Sequence, residues 1–260
     1  MTTDQLDTMG DALYEAWRAR RMLAPPTASL PQLSIDQAYR IQQRMVARRV
    51  GQGERVIGKK IGVTSKAVQD MLDVRQPDFG ILLSGMHYDD GAAIPIDTLI
   101  QPRAEGEIAF FLKHALQGPG VTMEQVLAAT ESVAACFEIV DSRVQDWKIK
   151  IADTVADNAS CGVFVIGQER VSPAALDLAA CAMTIEKNGI QVAAGTGAAA
   201  LGHPAQAVAW LANELGARGI ALEAGEPILS GSLAVLIPVV AGDALTVRID
   251  GIGSCAVSFV

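Results

Sequence analysis

Residues 101–112 read QPRAEGEIAFFL. The part from Glu107 to Leu112 has the apolar, strand-length character of a buried β-strand, and it is entered through two carboxylates, Glu105 and Glu107, two residues apart. In extended backbone successive side chains alternate between faces, so both glutamates point to the same side. Like charges placed there repel unless a cation joins them. Two more strand-like runs follow, Ala135 to Val140 and Gly162 to Ile166, and the first carries a third acid, Glu138, where an unpaired ionised side chain is costly to bury.

Outward from these strands the chain divides in two. From Val56 onward short apolar runs alternate with glycine, and this part, residues 56–260, reads as the catalytic domain. Residues 1–55 read as a helical segment. Leu6, Met9, Leu13 and Trp17 share a face, and after Pro25-Pro26 a second helix opens at Ser34 with a capping box completed by Gln37. The spacing predicts a further helix from Thr122, capped by Gln125 and carrying Val126, Leu127 and Val133 towards the sheet. Lys187-Asn188-Gly189 joins two strand-like runs as a tight hairpin, and Pro204 opens a helix that ends before Gly219. Short strands return at 228–232, 245–249 and 256–260. The sum is an α+β fold in which a curled mixed β-sheet carries the site and an N-terminal helical segment is attached to it.

Composition excludes several classes. The 260 residues are 50% apolar and 19% charged, enough to bury a full core. A formal net charge of −8 and a pI near 4.9 argue against a nucleic-acid surface, which needs clustered Lys and Arg. Cys136, Cys161, Cys181 and Cys255 lie too far apart for a zinc ribbon or a redox pair and read as buried thiols. The N-terminus lacks a signal-peptide pattern and the two long uncharged stretches are broken by glycine and proline, so a cytoplasmic protein with no membrane span is expected. Gly195 to Ala200 matches the loosest dinucleotide-loop spacing, but Gly202-His203-Pro204 interrupts the helix that should follow, which rules against a nicotinamide enzyme. No nucleophile elbow, Walker loop or HExxH is present.

Three clusters carry chemistry. Glu105, Glu107 and Glu138 together make a hard-oxygen site suited to Mg²⁺ or Mn²⁺; spacing alone is equally compatible with a solvent-facing pair and a Glu138 bridged to Arg103 or Arg143. Lys59 and Lys60 sit among apolar residues and glycines, where a lysine drawn into a dry site acts as acid or base or pairs with a substrate carboxylate, and one left at the surface does neither. Asp153 to Gly162 is a polar, small-residue stretch leading into a strand, fit either to contact an oxyanion or to close a loop, and Asp78 poses the same choice.

Taken in order, IGKKIGVTS (57–65), QPDFG (76–80), QPRAEGEIAF (101–110), FEIVDSR (137–143), DTVADNASCG (153–162), EKNG (186–189), LGHP (201–204) and GIGS (251–254) resemble the 2-oxopent-4-enoate hydratase and 4-oxalocrotonate decarboxylase family of the fumarylacetoacetase superfamily. The resemblance covers nearly all of 56–260. It implies a fumarylacetoacetase-like domain with a divalent cation, Mg²⁺ or Mn²⁺, held by Glu105, Glu107 and Glu138. It further implies Lys60 and Asp78 as catalytic residues, Lys60 for proton transfer or carboxylate pairing and Asp78 for the water, with Ser160 and Asn158 as substrate contacts. Hydratases of the family keep both QPDFG and DTVADNASCG, as this chain does, and decarboxylases depart from them. The implied reaction is hydration of 2-hydroxypenta-2,4-dienoate to 4-hydroxy-2-oxopentanoate in meta-cleavage degradation of aromatic compounds. The rival readings are the sister decarboxylase, acting on 2-oxohex-3-enedioate, and a non-catalytic scaffold subunit. A homo-oligomer, and a complex with the sister decarboxylase, are the implied assemblies.

Overall fold

The structure is a computed structural model that describes residues 2–71 and 73–260. The chain opens with helices α1 (Thr3–Arg18), α2 (Pro26–Ser29) and α3 (Ile35–Val50). Strand β1 (Val56–Gly62), helix α4 (Lys66–Met71) and strands β2 (Asp78–Leu83), β3 (His87–Asp89), β4 (Ala93–Ile94) and β5 (Pro102–Leu112) follow. Then come α5 (Met123–Ala129), β6 (Thr130–Asp141), α6 (Ile151–Ala156), β7 (Cys161–Ile166), β8 (Ala182–Lys187), β9 (Ile190–Thr196) and α7 (Pro204–Gly216). The chain closes with β10 (Pro227–Leu229), β11 (Ile237–Pro238), β12 (Ala244–Ile249) and β13 (Gly253–Phe259).

Local chemistry accounts for most boundaries. Thr2, Ser34 and Thr122 each cap a helix with reciprocal bonds to the Gln three residues on, satisfying backbone donors the first turn would otherwise leave free. Asn188 and Gly189 both adopt positive φ, as the two-residue hairpin between β8 and β9 requires. One expectation fails: Val133 lies in β6, not on a helix. The helix capped by Thr122 ends at Ala129, and the β-branched and aromatic run that follows pairs along the whole of β5. Pairing with a neighbour outweighs helical spacing in that stretch.

The larger sheet has the order β2-β1-β10-β5-β6-β7-β3, with β11 also on β5; β1–β10 and β3–β7 pair in parallel and the rest antiparallel. Its two ends come together. Leu82 and Leu83 of β2 share one buried cluster with Phe164 and Ile166 of β7, although five strand spacings, roughly 24 Å if flat, separate them. The sheet is therefore curled, and this cluster, with Ala109, Ala134, Cys136 and Leu229, fills the inside of the curl. The smaller sheet, β4-β13-β12-β8-β9, packs on the outside, where Gly106 of β5 approaches Met183, Ile185 and Val247 closely enough that a Cβ would crowd them.

The N-terminal helices are stitched to the sheet domain. One large apolar cluster contains Leu13, Tyr14 and Ile41 together with Phe79, Phe137 and Val155. Thr27 donates from its backbone N–H (2.7 Å) and its hydroxyl (3.0 Å) to Asp153, and the Gln42 amide donates to the Phe79 and Val155 carbonyls at 2.9 and 3.1 Å. Leu23 exchanges backbone bonds with the chain around Val144. All four cysteines are buried free thiols, and among the described residues no helix is long and apolar enough to cross a membrane.

Candidate active site

The inner face of the curled sheet turns polar at one end. Glu105 and Glu107 point inward from β5, and the pairing register sets Glu138 of β6 directly opposite Glu105. One oxygen from each of the three lies within 4.8 Å of the others. Glu107 and Glu138 are fully buried, and Glu105 forms part of a cavity wall. Glu107 accepts one bond, from the Gly231 N–H at 2.8 Å, and its other oxygen has no hydrogen-bond partner.

Lys60 reaches into this cluster from β1, its Nζ 3.0 Å from Glu138 Oε1. That approach lies outside hydrogen-bond geometry, so both Glu138 oxygens remain without a hydrogen-bonded donor. Burial works against the Lys60 ammonium, yet the charges of Glu138 and then Asp78 outweigh it and hold the lysine above its ordinary value. Lys59, one residue earlier, points to the opposite face and pairs with Glu226.

Asp78 enters from the start of β2. Burial pushes its carboxyl up to about 6; Lys60 pulls it down, Glu138 pushes it up and a bond from the Gly62 backbone lowers it again. Its Oδ1 has no hydrogen-bond partner and closes against Gly62 so tightly that no side chain fits there. Burial, followed by repulsion from Glu138, raises Glu105 to about 8 and Glu107 well above the carboxylate range. Four acids, of which Asp78, Glu107 and Glu138 have orphaned oxygens, against one ammonium are short of positive charge, and a hard divalent cation between Glu105, Glu107 and Glu138 fits that deficit.

The cavity over this cluster has a volume of about 480 Å³. Lys60, Asp78, Glu105 and Ser160 line it, with Thr64 and Thr154 adding hydroxyls and Arg103, Asp146 and Trp147 forming part of the mouth. Ser160 Oγ lies 3.1 Å from Thr154 Oγ1. Asn158 differs: its carboxamide is engaged on both sides by the backbone of Ile81, accepting at 2.8 Å and donating at 2.9 Å, and it does not line the cavity. Asn158, Ala159 and Ser160 all have φ near +50°, a left-handed run that presents Ser160 to the cavity.

The arginines proposed as partners of Glu138 are used elsewhere. Arg143 is buried against Asp157, bonding it through Nε at 2.5 Å, and also donates to the carbonyls of Asp141 and Cys161. Arg103 lies over the Trp147 ring, 4.6 Å from its centre. Of the seven residues singled out in the sequence, six converge on this end of the curl and Asn158 stands behind it. Trp147 was not anticipated, Thr154 was covered only by the polar stretch 153–162 and Arg103 only as a partner for Glu138; the alternation that aligned Glu105 with Glu107 also puts Arg103 on the same face, a legible signal for its place at the cavity.

A curled mixed sheet with three carboxylates, a lysine and an aspartate at one end defines a site for hard-cation chemistry. The model described as fumarylacetoacetate (FAA) hydrolase C-terminal matches residues 49–260, and the chain belongs to that family. Within it the chain falls in the hydratase and decarboxylase branch. It is 62% identical over 256 residues to a 2-hydroxyhexa-2,4-dienoate hydratase of Comamonas testosteroni, covering 98% of this chain and 97% of the relative. It is 61% identical over 217 residues to a 2-hydroxypent-2,4-dienoate hydratase of Pseudomonas putida, covering 83% and 98%. Among solved structures, the 4-oxalocrotonate decarboxylase from Pseudomonas putida G7, complexed with magnesium and adipate, matches with a TM-score of 0.97 at 34% identity over 100% of this chain and 99% of that one.

Proposed function

We propose that this enzyme is a metal-dependent hydro-lyase that converts 2-hydroxypenta-2,4-dienoate to 4-hydroxy-2-oxopentanoate, or a close homologue to the corresponding 4-hydroxy-2-oxo acid, in the meta-cleavage degradation of aromatic compounds. The observation that carries the reading is the cluster of Glu105, Glu107 and Glu138, the last two buried with orphaned oxygens, set against Lys60 and Asp78 at the floor of one cavity. The identities support hydration over decarboxylation, since the named hydratases are far closer than the decarboxylase.

Glu105, Glu107 and Glu138 are the residues that would hold the cation, Mg²⁺ or Mn²⁺ by their all-oxygen character. When bound, it supplies Lewis-acid polarisation of the substrate's 2-oxygen and neutralises charge that develops there. Overall, C5 gains a proton as the 2-hydroxyl gives one up, then the hydroxyl of water goes to C4 and a proton to C3. Lys60 is charged at neutral pH, so it offers a proton or pairs with the substrate carboxylate. Asp78, with a free buried oxygen, takes the proton from the attacking water. Ser160 and Thr154 supply hydroxyls to the polar end of the substrate, and Asn158 is a positioning residue that ties the Asn158–Ser160 turn to β2.

The protein is taken to act in the cytoplasm as a homo-oligomer, with a complex with the sister decarboxylase as a further partner. Ile190, Val192, Val235 and Val240 are exposed apolar side chains of the kind self-association covers, and sedimentation measures the subunit number.

The test is to supply 2-hydroxypenta-2,4-dienoate with Mg²⁺ and follow loss of its ultraviolet absorbance, then repeat with chelator, with Asp78→Asn and with Glu107→Gln. Metal-dependent formation of 4-hydroxy-2-oxopentanoate, lost in both variants while the fold is kept, is the expected result. Release of CO₂ from 2-oxohex-3-enedioate without hydration would move the chain to the decarboxylase branch, and no metal binding at all would leave a scaffold.

A further inference from the structure

We infer that Trp147 is the wall that receives the tail of the substrate and sets the preference among tails of different length. The inference rests on the metal-bound 2-oxo acid reading of the site, and it follows from how the inner face of the curl is layered. Along β5 the inward residues are Glu107, Glu105 and Arg103, each step about 7 Å further towards the mouth. Their partners across the β5–β6 ladder are Cys136, Glu138 and Val140. Deeper than Glu107 and its partner Cys136 the curl is closed by Ala109, Ala134 and Leu229, all fully buried.

A 2-oxo acid gripped at its carboxylate end by the glutamate and lysine cluster can therefore extend only outward. Its C5 lies three bonds beyond C2, about 3.8 Å when extended, the same reach as three bonds between successive Cα atoms. Any substituent on C5 then enters the layer of Arg103 and Val140. Beside the charged Arg103 and Asp146, the cavity lining includes an apolar set, Trp147 with Val63, Val68, Val140, Ile149 and Leu236.

Trp147 is fixed more firmly than a loop residue needs to be. Asp146 and Trp147 both take left-handed backbone, with φ of 58° and 56°, a conformation that bulky side chains adopt only where surroundings impose it. The indole N–H donates to the Gln101 carbonyl at 3.1 Å, and the Arg103 guanidinium lies over the ring. The stacking occupies Arg103 and leaves the tail an aromatic surface, which suits an alkyl substituent.

The experiment compares binding of 2-oxopentanoate and 2-oxohexanoate by calorimetry in the presence of saturating Mg²⁺, for the wild-type enzyme, Trp147→Ala and Trp147→Phe. Burying one more methylene gives about fourfold tighter binding of the longer acid to the wild type. Trp147→Ala brings that ratio close to one and Trp147→Phe keeps most of it. The ratio of kcat/KM for 2-hydroxyhexa-2,4-dienoate over the five-carbon dienoate should move in parallel, chiefly through KM. An unchanged ratio in Trp147→Ala, or equal weakening of both acids, overturns the inference. If Trp147→Ala fails to fold, Val140→Phe in the same layer decides instead: it should reverse the preference to the shorter acid, and no change would overturn the inference. Failure of the wild type to hydrate either dienoate refutes the hydratase reading alone, because the binding ratio is read without turnover.

Discussion

Replacing Lys60 by Met removes the one ammonium inside the carboxylate cluster and keeps most of the volume of its stem. Lys60 Nζ and Glu138 Oε1 are 3.0 Å apart, with side chains 3% and 0% exposed. At an effective dielectric of about 20 their attraction is about 5.5 kcal/mol before desolvation is subtracted. One-sided removal of a buried ion pair costs about 3–5 kcal/mol, because the surviving charge is left buried without a partner. The chelated Lys60→Met protein should therefore lose about 3–5 kcal/mol at pH 8, and Mg²⁺ should recover much of the loss by supplying the missing charge to the same oxygens. Urea unfolding followed by tryptophan fluorescence, with chelator and with Mg²⁺, measures both quantities. Adding Glu138→Gln to Lys60→Met should restore stability in chelator, since the orphaned charge is then gone. A chelated Lys60→Met protein within about 1 kcal/mol of wild type, or a loss that Mg²⁺ does not reduce, would refute the view that the cluster lacks positive charge.

The pH dependence of the chelated protein should have an unusual sign. Asp78 and Glu105 are raised in the fold to about 6 and about 8 from 3.8 and 4.5, so the fold holds protons that the unfolded chain releases. Their stabilisation is complete below the unfolded values and lost as pH rises through the folded ones, so Tm in chelator should fall between pH 5 and 8 and the fall should flatten with Mg²⁺; a flat Tm in chelator counts against it. Asn158→Ala removes both bonds to Ile81 and puts alanine at a φ of 53°, and should cost about 2–4 kcal/mol in urea unfolding. A loss under 1 kcal/mol would return Asn158 to the candidates for direct substrate contact. Gly80→Ala would place a Cβ 2.7 Å from the Asn158 carbonyl and 3.1 Å from Lys60 Cε, so it should lower both stability and kcat, by about 1–3 kcal/mol for the first; unchanged values would show that β2 and the Asn158 turn can separate.

What the sequence made legible was whatever is encoded over short spans. The capping boxes at Ser34 and Thr122, the Asn188-Gly189 hairpin and the shared face of Glu105 and Glu107 each depend on residues within three positions of one another. Partnerships across the curl were not legible in that way. Lys60 meets Glu138 because β1 and β6 face each other across a curled sheet, and spacing in the chain holds no record of that curl. The same limit explains why Arg143 looked available to Glu138 when Asp157, brought back by α6, already holds it. The bonds of Asn158 to Ile81 were not legible for another reason: a carboxamide that mimics a strand partner and one that contacts a ligand have the same sequence signature. Val133 shows that helical spacing yields where an eleven-residue partner strand is waiting.

The bonds from Leu23, Thr27 and Gln42 have a bearing on how such enzymes diverge. Leu23 holds the backbone next to Val144, three residues before Trp147, while Thr27 and Gln42 hold Asp153, Val155 and Phe79 behind the cavity. These three anchors lie outside residues 49–260, the stretch shared with the wider family. Mutational drift in the first fifty residues therefore acts on the walls of the cavity at one remove. A laboratory selection for new substrates that randomised only cavity-lining positions would leave this second set of adjustments unexplored.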